Sequence, residues 1–205
     1  MKIAVVGASG MVGSRVVAEA LRRGHDVTAV HRTAAPGAHV VRGDAADREL
    51  MAGILSGVDG VVLATRPRPG QEATTGPTTT ALLDAARTTG ARVLVVGGAA
   101  PLRTPGGTGL VLDDDRYVPP HIRPIAEASL RQLEACRAHG ADWVYLSPPA
   151  LLEPGARTGT YRRGTTEMLT CPSSISAEDM AVAVVDELEA PGTDRHFTVA
   201  GPAAG

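Results

Sequence analysis

Three glycines at a fixed spacing open the chemistry of this chain: Gly7-Ala8-Ser9-Gly10-Met11-Val12-Gly13 lies between an apolar run, Ile3 to Val6, and a helical pattern that begins at Met11. At that junction Gly7 suits a tight turn of positive φ, and Gly10 lets the backbone approach a pyrophosphate. Gly13 permits close helix packing, while the helix start offers unpaired N–H groups and a positive dipole end. The turn residues Gly7, Ser9, Gly10, Met11, Val12 and Gly13 are therefore expected to hold the phosphates of a dinucleotide.

The end of the second apolar run decides which dinucleotide. An acidic residue there would hold a ribose 2′-hydroxyl and repel a 2′-phosphate. The stretch reads Val30-His31-Arg32-Thr33, with no carboxylate, and Arg32 offers a planar fork suited to phosphate. NADP(H) is expected over NAD(H). Arg15 reads as an ordinary solvated charge. Asp44, in Arg42-Gly43-Asp44-Ala45, is placed to meet the adenine amino group, with Asp47 the better cap for the following helix.

Groups able to donate a proton are few. Tyr117, His121 and Arg123 fall in one loop and Tyr161 in another, and His121 follows Pro119-Pro120. Tyr117 and His121 are the catalytic candidates, and Tyr161 in Gly159-Thr160-Tyr161-Arg162 is expected to touch substrate. Thr65 and Arg66 follow the fourth apolar run, where open α/β sheets bind ligands, and Arg66 is expected to hold an anionic substrate group. Cys136 and Cys171 form no C-x-x-C pair, so no disulfide framework or thiolate metal site is expected.

These residues need a scaffold of alternating strands and helices, and the pattern supplies one. Strands are expected at 3–6, 26–31, 40–41, 60–64, 92–96, 142–146 and 197–200. Helices are expected near 11–23, 47–55, 82–89, 125–139 and 177–189. Residues 66–80, 97–120 and 147–164 read as loops rich in Pro, Gly or Thr. The expectation is one Rossmann-type α/β domain over 1–205, doubly wound with a mainly parallel sheet. Its substrate pocket is built from loops at about 66–80, 101–123 and 147–172.

At 205 residues with a formal charge of −2, the chain has no basic face for nucleic acid and no run long enough to span a membrane. Its start runs straight into the glycine turn without a signal-peptide pattern, so a cytoplasmic protein is expected, as monomer or homodimer.

The glycine turn, Ser147-Pro148-Pro149 and Ile175-Ser176-Ala177-Glu178-Asp179 together resemble the atypical short-chain dehydrogenase/reductases. The chain is most similar to the small NAD(P)H-binding group that includes NmrA-like proteins and the flavin reductase/biliverdin reductase B type. The resemblance implies that Ala64, Thr65 and Gly97 flank the ribose and nicotinamide and that Pro148 closes over the nicotinamide. It also exposes departures. The Tyr-x-x-x-Lys dyad is missing, since Lys2 is the only lysine and lies in the first strand. The serine after strand five and the histidine after the double proline are replaced in Gly97-Gly98-Ala99-Ala100 and Pro148-Pro149-Ala150.

Hydride transfer to an acceptor such as a flavin, quinone or ketone needs mainly alignment and exclusion of water, so it survives those losses. The expected activity is an NADPH-dependent reductase of a small planar or carbonyl-bearing acceptor. The alternatives are a non-catalytic NADP(H)-binding redox sensor and a non-redox isomerase, dehydratase or cyclase on the same fold.

Overall fold

A computed structural model of the protein describes residues 1–31, 39–107 and 109–203. Strand β1 (Lys2–Val6) leads through the glycine turn into α1 (Met11–Arg22), followed by β2 (Asp26–His31), β3 (His39–Arg42), α2 (Arg48–Leu55) and β4 (Gly60–Leu63). Then come α3 (Thr75–Thr89), β5 (Arg92–Val96), α4 (Arg123–Arg137), β6 (Trp143–Ser147) and two short strands, β7 (Leu151–Glu153) and β8 (Arg162–Gly164). The chain closes with β9 (Ser174–Ser176), α5 (Ala177–Glu189) and β10 (His196–Ala200).

Eight strands form one sheet in the order β3-β2-β1-β4-β5-β6-β10-β8, and β7 pairs with β9 in a small second sheet. Every pairing in the large sheet is parallel except β10 with β8. The order turns back on itself at β1, so β2 and β4 flank the strand that feeds the glycine turn, the place where open α/β sheets take ligands.

Because the central strands are covered on both faces, β4, an unbroken apolar run, is buried throughout, and so is β10, whose His196 and Thr198 hydrogen-bond to Ser147. Alternate side chains feed two cores. Ile3, Val5, Val62, Leu94 and Phe197 pack with Val16, Val17 and Ala20 of α1 and Met180, Val184 and Leu188 of α5. Ala4, Val61, Leu63 and Val95 point the other way, onto Met51 and Leu55 of α2, Leu82 and Leu83 of α3 and Leu133 of α4. Each fully buried Leu there contributes about 2 kcal/mol of transfer free energy. Asp47 caps α2 by accepting from Leu50 N at 3.0 Å, and Ser176 caps α5 by accepting from Asp179 N at 3.0 Å.

Three expected loops carry more structure than their composition suggests. Helix α3 starts at Thr75, well before Leu82, because Pro77 falls in the first turn, where its missing N–H costs nothing. The hydroxyl of Thr79 donates to Thr75 O at 2.8 Å, satisfying a polar side chain in the helix interior. The 97–120 stretch buries a small core of its own, with Ala100, Leu102, Val111, Leu112 and Val118 packed on Ala126 and Met168. Within 147–164, β8 joins the sheet edge through Arg163, whose guanidinium lies 3.7 Å from the centre of the Phe197 ring. Arg162 donates to the carbonyls of Gly201, Thr170 and Pro172 at 2.7 to 2.8 Å. These strands are held by arginines rather than by an alternating apolar pattern, so periodicity misses them.

Candidate nucleotide-binding cavity

A cavity of about 830 Å³ opens across the carboxyl ends of β2, β1, β4, β5 and β6. That volume lies within the range of ordinary ligand and cofactor sites.

At its floor the glycine turn is tied down by Gly7 N and Ala8 N, which both donate to Val30 O, and by Gly10 N, which donates to Gly7 O at 2.9 Å. Gly7 has φ +90, and a Cβ on it would stand 2.5 Å from Ala64 O. A Cβ on Gly13 would fall 2.2 Å from Gly7 O, so α1 and the turn approach more closely than any side chain allows. The first backbone bond at the helix start is Ser14 N to Gly10 O at 3.0 Å. The amides of Met11, Val12 and Gly13 therefore have no helical carbonyl behind them, and the first turn carries no acidic residue. Arg15 is drawn away to Glu178, with Nε to Oε1 at 3.0 Å.

Two buried polar side chains in the cavity wall have no hydrogen-bond partner: the His31 imidazole at the end of β2 and the Thr75 hydroxyl at the start of α3. Both residues border the cavity, but these polar atoms are covered by protein and do not open onto it. The glycine cradle and the free amides at the start of α1 are what fit a dinucleotide. Neither His31 nor Thr75 stands out in the sequence, since a lone histidine and one threonine in a Thr-rich run carry no spacing signal.

The cavity brings together Gly7, Ser9, Gly10, Met11, Val12, Asp44, Ala64, Thr65, Arg66, Gly97, Tyr117 and Pro148. Gly13 stands behind the turn rather than in the lining, and Arg32 lies outside the described residues. His121 is exposed on a 3-10 turn and is not part of the lining. Tyr161 is turned away from the cavity: its hydroxyl donates to Asp186 Oδ2 at 2.8 Å and its ring packs on the α1/α5 core. Burial and that carboxylate push its phenol pKa up. An aromatic in a Gly- and Thr-rich loop looks like a substrate contact in sequence. Its partner, Asp186, comes from a helix whose orientation only the fold reveals.

Beneath Gly97, on β6, stands Tyr145. Its hydroxyl donates to Ser129 O at 2.9 Å and lies 3.4 Å from Gly98 N, and burial raises its pKa, so it acts as a neutral strut. Ser147 and His196 share a hydrogen bond of 2.9 Å, but Ser147 is fully buried and outside the lining. Burial lowers the His196 pKa to about 4. The pair holds β6 to β10 and does not serve as a nucleophile and base.

At the α3/α4 side the polar lining is Thr74, Thr75, Thr78, Ser129 and Gln132, joined by Tyr117, whose ring lies under Arg116. The only carboxylate of the described lining is Asp44, in the turn after β3. No group of three or more metal-ligating side chains occurs among the described residues. No described helix is long and apolar enough to cross a membrane. Such a wall offers hydroxyl and amide hydrogen bonds in place of an acid–base dyad.

Comparison with known proteins identifies the family. Residues 7–191 match the model of the family described as NAD(P)H-binding. The chain belongs to the NAD(P)H-binding family. It is 36% identical to the uncharacterized protein YwnB of Bacillus subtilis, over 99% of this chain and 100% of that one. A solved structure named "putative NADH-flavin reductase", from Streptococcus pneumoniae, is 29% identical with a TM-score of 0.90, covering 98% of this chain and 100% of that one. A "putative epimerase" from Bacteroides thetaiotaomicron is 33% identical with a TM-score of 0.85, over 100% and 98% of the two chains. Family membership supports a nicotinamide cofactor for this protein.

Proposed function

We propose that the protein is an NADPH-dependent reductase that delivers hydride to a small planar or carbonyl-bearing acceptor: a flavin, a quinone or a ketone. The observation that carries this reading is the single cavity that joins the glycine turn to a roomy wall of hydroxyl and amide groups without a Tyr-Lys dyad. Bound at that turn, a reduced nicotinamide supplies the hydride.

The residues of the chain do the rest. The amides of Met11 to Gly13 hold the pyrophosphate, and Asp44 meets the adenine amino group. Ala64, Thr65 and Gly97 flank the ribose and nicotinamide, and Pro148 covers them from the far side, which excludes water and fixes the reacting faces. Arg66, exposed at the rim, holds an anionic group of the acceptor. Tyr117, half-buried in the lining, is placed to donate a hydrogen bond to the acceptor as charge develops on it. Arg32 adds to a preference for the 2′-phosphate. The S. pneumoniae relative's name supports a flavin as first acceptor to try, and a cytoplasmic location goes with this reading.

A second reading, a non-redox isomerase using a tightly held nicotinamide, is favoured by the name of the B. thetaiotaomicron relative. Offering flavins, quinones and ketones in turn to the protein with NADPH separates the two. Acceptor-dependent loss of reduced nicotinamide supports the reductase. Tight binding with no loss for any acceptor contradicts it and leaves the isomerase or a redox sensor.

A further inference from the structure

Helix α4 brings to the cavity a side chain that is almost wholly covered yet only half paired. Gln132 is 4% exposed and belongs to the lining. Its carbonyl oxygen Oε1 lies 3.4 Å from the buried hydroxyl of Tyr145, which donates more closely to Ser129 O at 2.9 Å. Its amide nitrogen Nε2 has no hydrogen-bond partner among the described residues. The unpartnered atoms that protein seals off belong to His31, Thr75, Arg92, Trp143 and His196, not to Gln132. The open space that Gln132 borders is the cavity, so the amide presents its N–H donors there. A side chain so covered cannot swing out to water, and whatever fills the cavity must pair that amide or leave it unpaired at a cost.

The surroundings say what kind of group fits. Nearly one turn before Gln132, Ser129 lines the same end of the cavity, its hydroxyl donating to Ile125 O at 3.3 Å and able to accept. A Cβ on Gly98 would stand 2.4 Å from that hydroxyl, so this end adjoins the backbone floor at Gly97 and Gly98. Val118, Ile122 and Ile125 supply apolar wall. The charged residues of the described lining, Asp44, Arg66 and Arg68, come from the segments after β3 and β4, and α3 and α4 contribute none. An anion set against α4 would lose its hydration and gain no counter-charge, whereas a neutral carbonyl oxygen needs only the donor that Gln132 offers.

We propose that the α4 end of the cavity takes a neutral, carbonyl-bearing ring of the acceptor, and that Gln132 Nε2 donates to its carbonyl oxygen. This rests on the reductase reading of the same cavity and narrows it. A flavin or quinone ring satisfies the amide while lying between apolar walls, and any charge on its tail stays at the rim beside Arg66. A small keto acid would instead bring a carboxylate to a wall without a cation. Gln132 is thus a specificity-determining residue, fixed from behind by Tyr145 and set beside the floor where the nicotinamide is placed.

Equilibrium dialysis of the protein with oxidised NADP tests it without turnover, using lumiflavin, a neutral flavin ring without the ribityl tail, and phenazine, a flat three-ring heteroaromatic with no carbonyl. Gln132→Leu should weaken lumiflavin binding about fivefold to tenfold, the loss of one neutral hydrogen bond, and leave phenazine binding as it was. In the unmodified protein the side-chain NH2 resonances of Gln132 should move with lumiflavin and not with phenazine, a readout that stands even if the variant fails to fold. No binding of lumiflavin by the unmodified protein, an equal loss of both ligands or no loss of lumiflavin in a folded Gln132→Leu variant, or unmoved Gln132 resonances in the lumiflavin complex would overturn the proposal. Selective loss of lumiflavin in a protein that never oxidises NADPH refutes the reductase reading and leaves this one standing. Flavin reduction by Gln132→Leu at the affinity of the unmodified protein does the reverse.

Discussion

Gly97 and Tyr145 share one space: a Cβ on Gly97 would lie 2.0 Å from both the hydroxyl and Cζ of Tyr145. The glycine at the end of β5 is there because a buried phenol from β6 fills the place of a side chain. The cavity floor beside the proposed nicotinamide position is thereby backbone, propped from below. Gly97→Ala is expected to cost about 1 to 3 kcal/mol through overpacking and to weaken cofactor binding together with stability. Tyr145→Phe should cost only about 1 kcal/mol, the lost hydrogen bond to Ser129 O. Urea unfolding of both variants checks the order, and an alanine variant as stable as the parent would refute the shared space.

Glu19 anchors the loop that leads into β8. Its side chain is 3% exposed and accepts from Arg157, Arg22 and Arg23, and those guanidinium hydrogen bonds hold its carboxyl well below the usual carboxylate range. Replacing Glu19 by Ala takes from Arg157 its carboxylate partner, while Arg23 keeps Asp186 and Glu189. The expected loss is about 1 to 2 kcal/mol, the charge-assisted hydrogen bonds given up, with faster amide exchange at Thr158 and Gly159. Those two amides donate to Asp179 Oδ1 at 2.8 Å and report on the loop directly.

His196 makes stability depend on mildly acidic pH. Its pKa falls from 6.5 to about 4 because burial disfavours the charged ring, so between those values the unfolded chain binds a proton that the folded chain refuses. Stability is full above about pH 6.5 and declines as pH falls toward 4, by up to about 3 kcal/mol. In His196→Gln that part of the decline should vanish. The carboxylates of Asp84 and Glu178, held low by His139 and by Gly155 N and Arg15 against the cost of burial, add their own acid sensitivity in both proteins. The comparison is therefore the difference in urea midpoint between pH 7 and pH 4.5, parent against variant.

The two thiols should differ in reactivity. Cys136 is buried in the α4 core and its pKa is pushed up to about 12 by that burial, whereas Cys171 is exposed. A thiol reagent should modify one cysteine per chain in the native protein and both after unfolding, with the native adduct mapped to Cys171 by peptide mass.

The glycine turn, the places of seven strands along the chain and α5 were legible in the sequence because each has a local signal: fixed glycine spacing, apolar runs of strand length, and helical periodicity closing on Glu189. What escaped rests on distant partners. The strand β8 is made by Arg162 and Arg163 reaching carbonyls and a ring elsewhere in the chain, and the early start of α3 is hidden in a Thr-rich run. In the site, the turn residues could be named from spacing alone, whereas the orphaned side chains of His31 and Thr75 become visible only when the cavity wall is assembled. Tyr161 shows the converse: a chemically plausible residue whose hydroxyl is already taken by Asp186.

The central claim is that the cavity brings a reduced nicotinamide and an acceptor together for hydride transfer. The most direct measurement is anaerobic rapid mixing of the protein, saturated with NADPH, with a flavin, following the reduced-nicotinamide and oxidised-flavin absorbance bands at once. The account predicts that both bands fall together, at the same rate and in equal molar amounts, faster than in the protein-free mixture. Bands that stay at the protein-free rate with the nucleotide demonstrably bound, for the flavin and then for a quinone and a ketone, would contradict it.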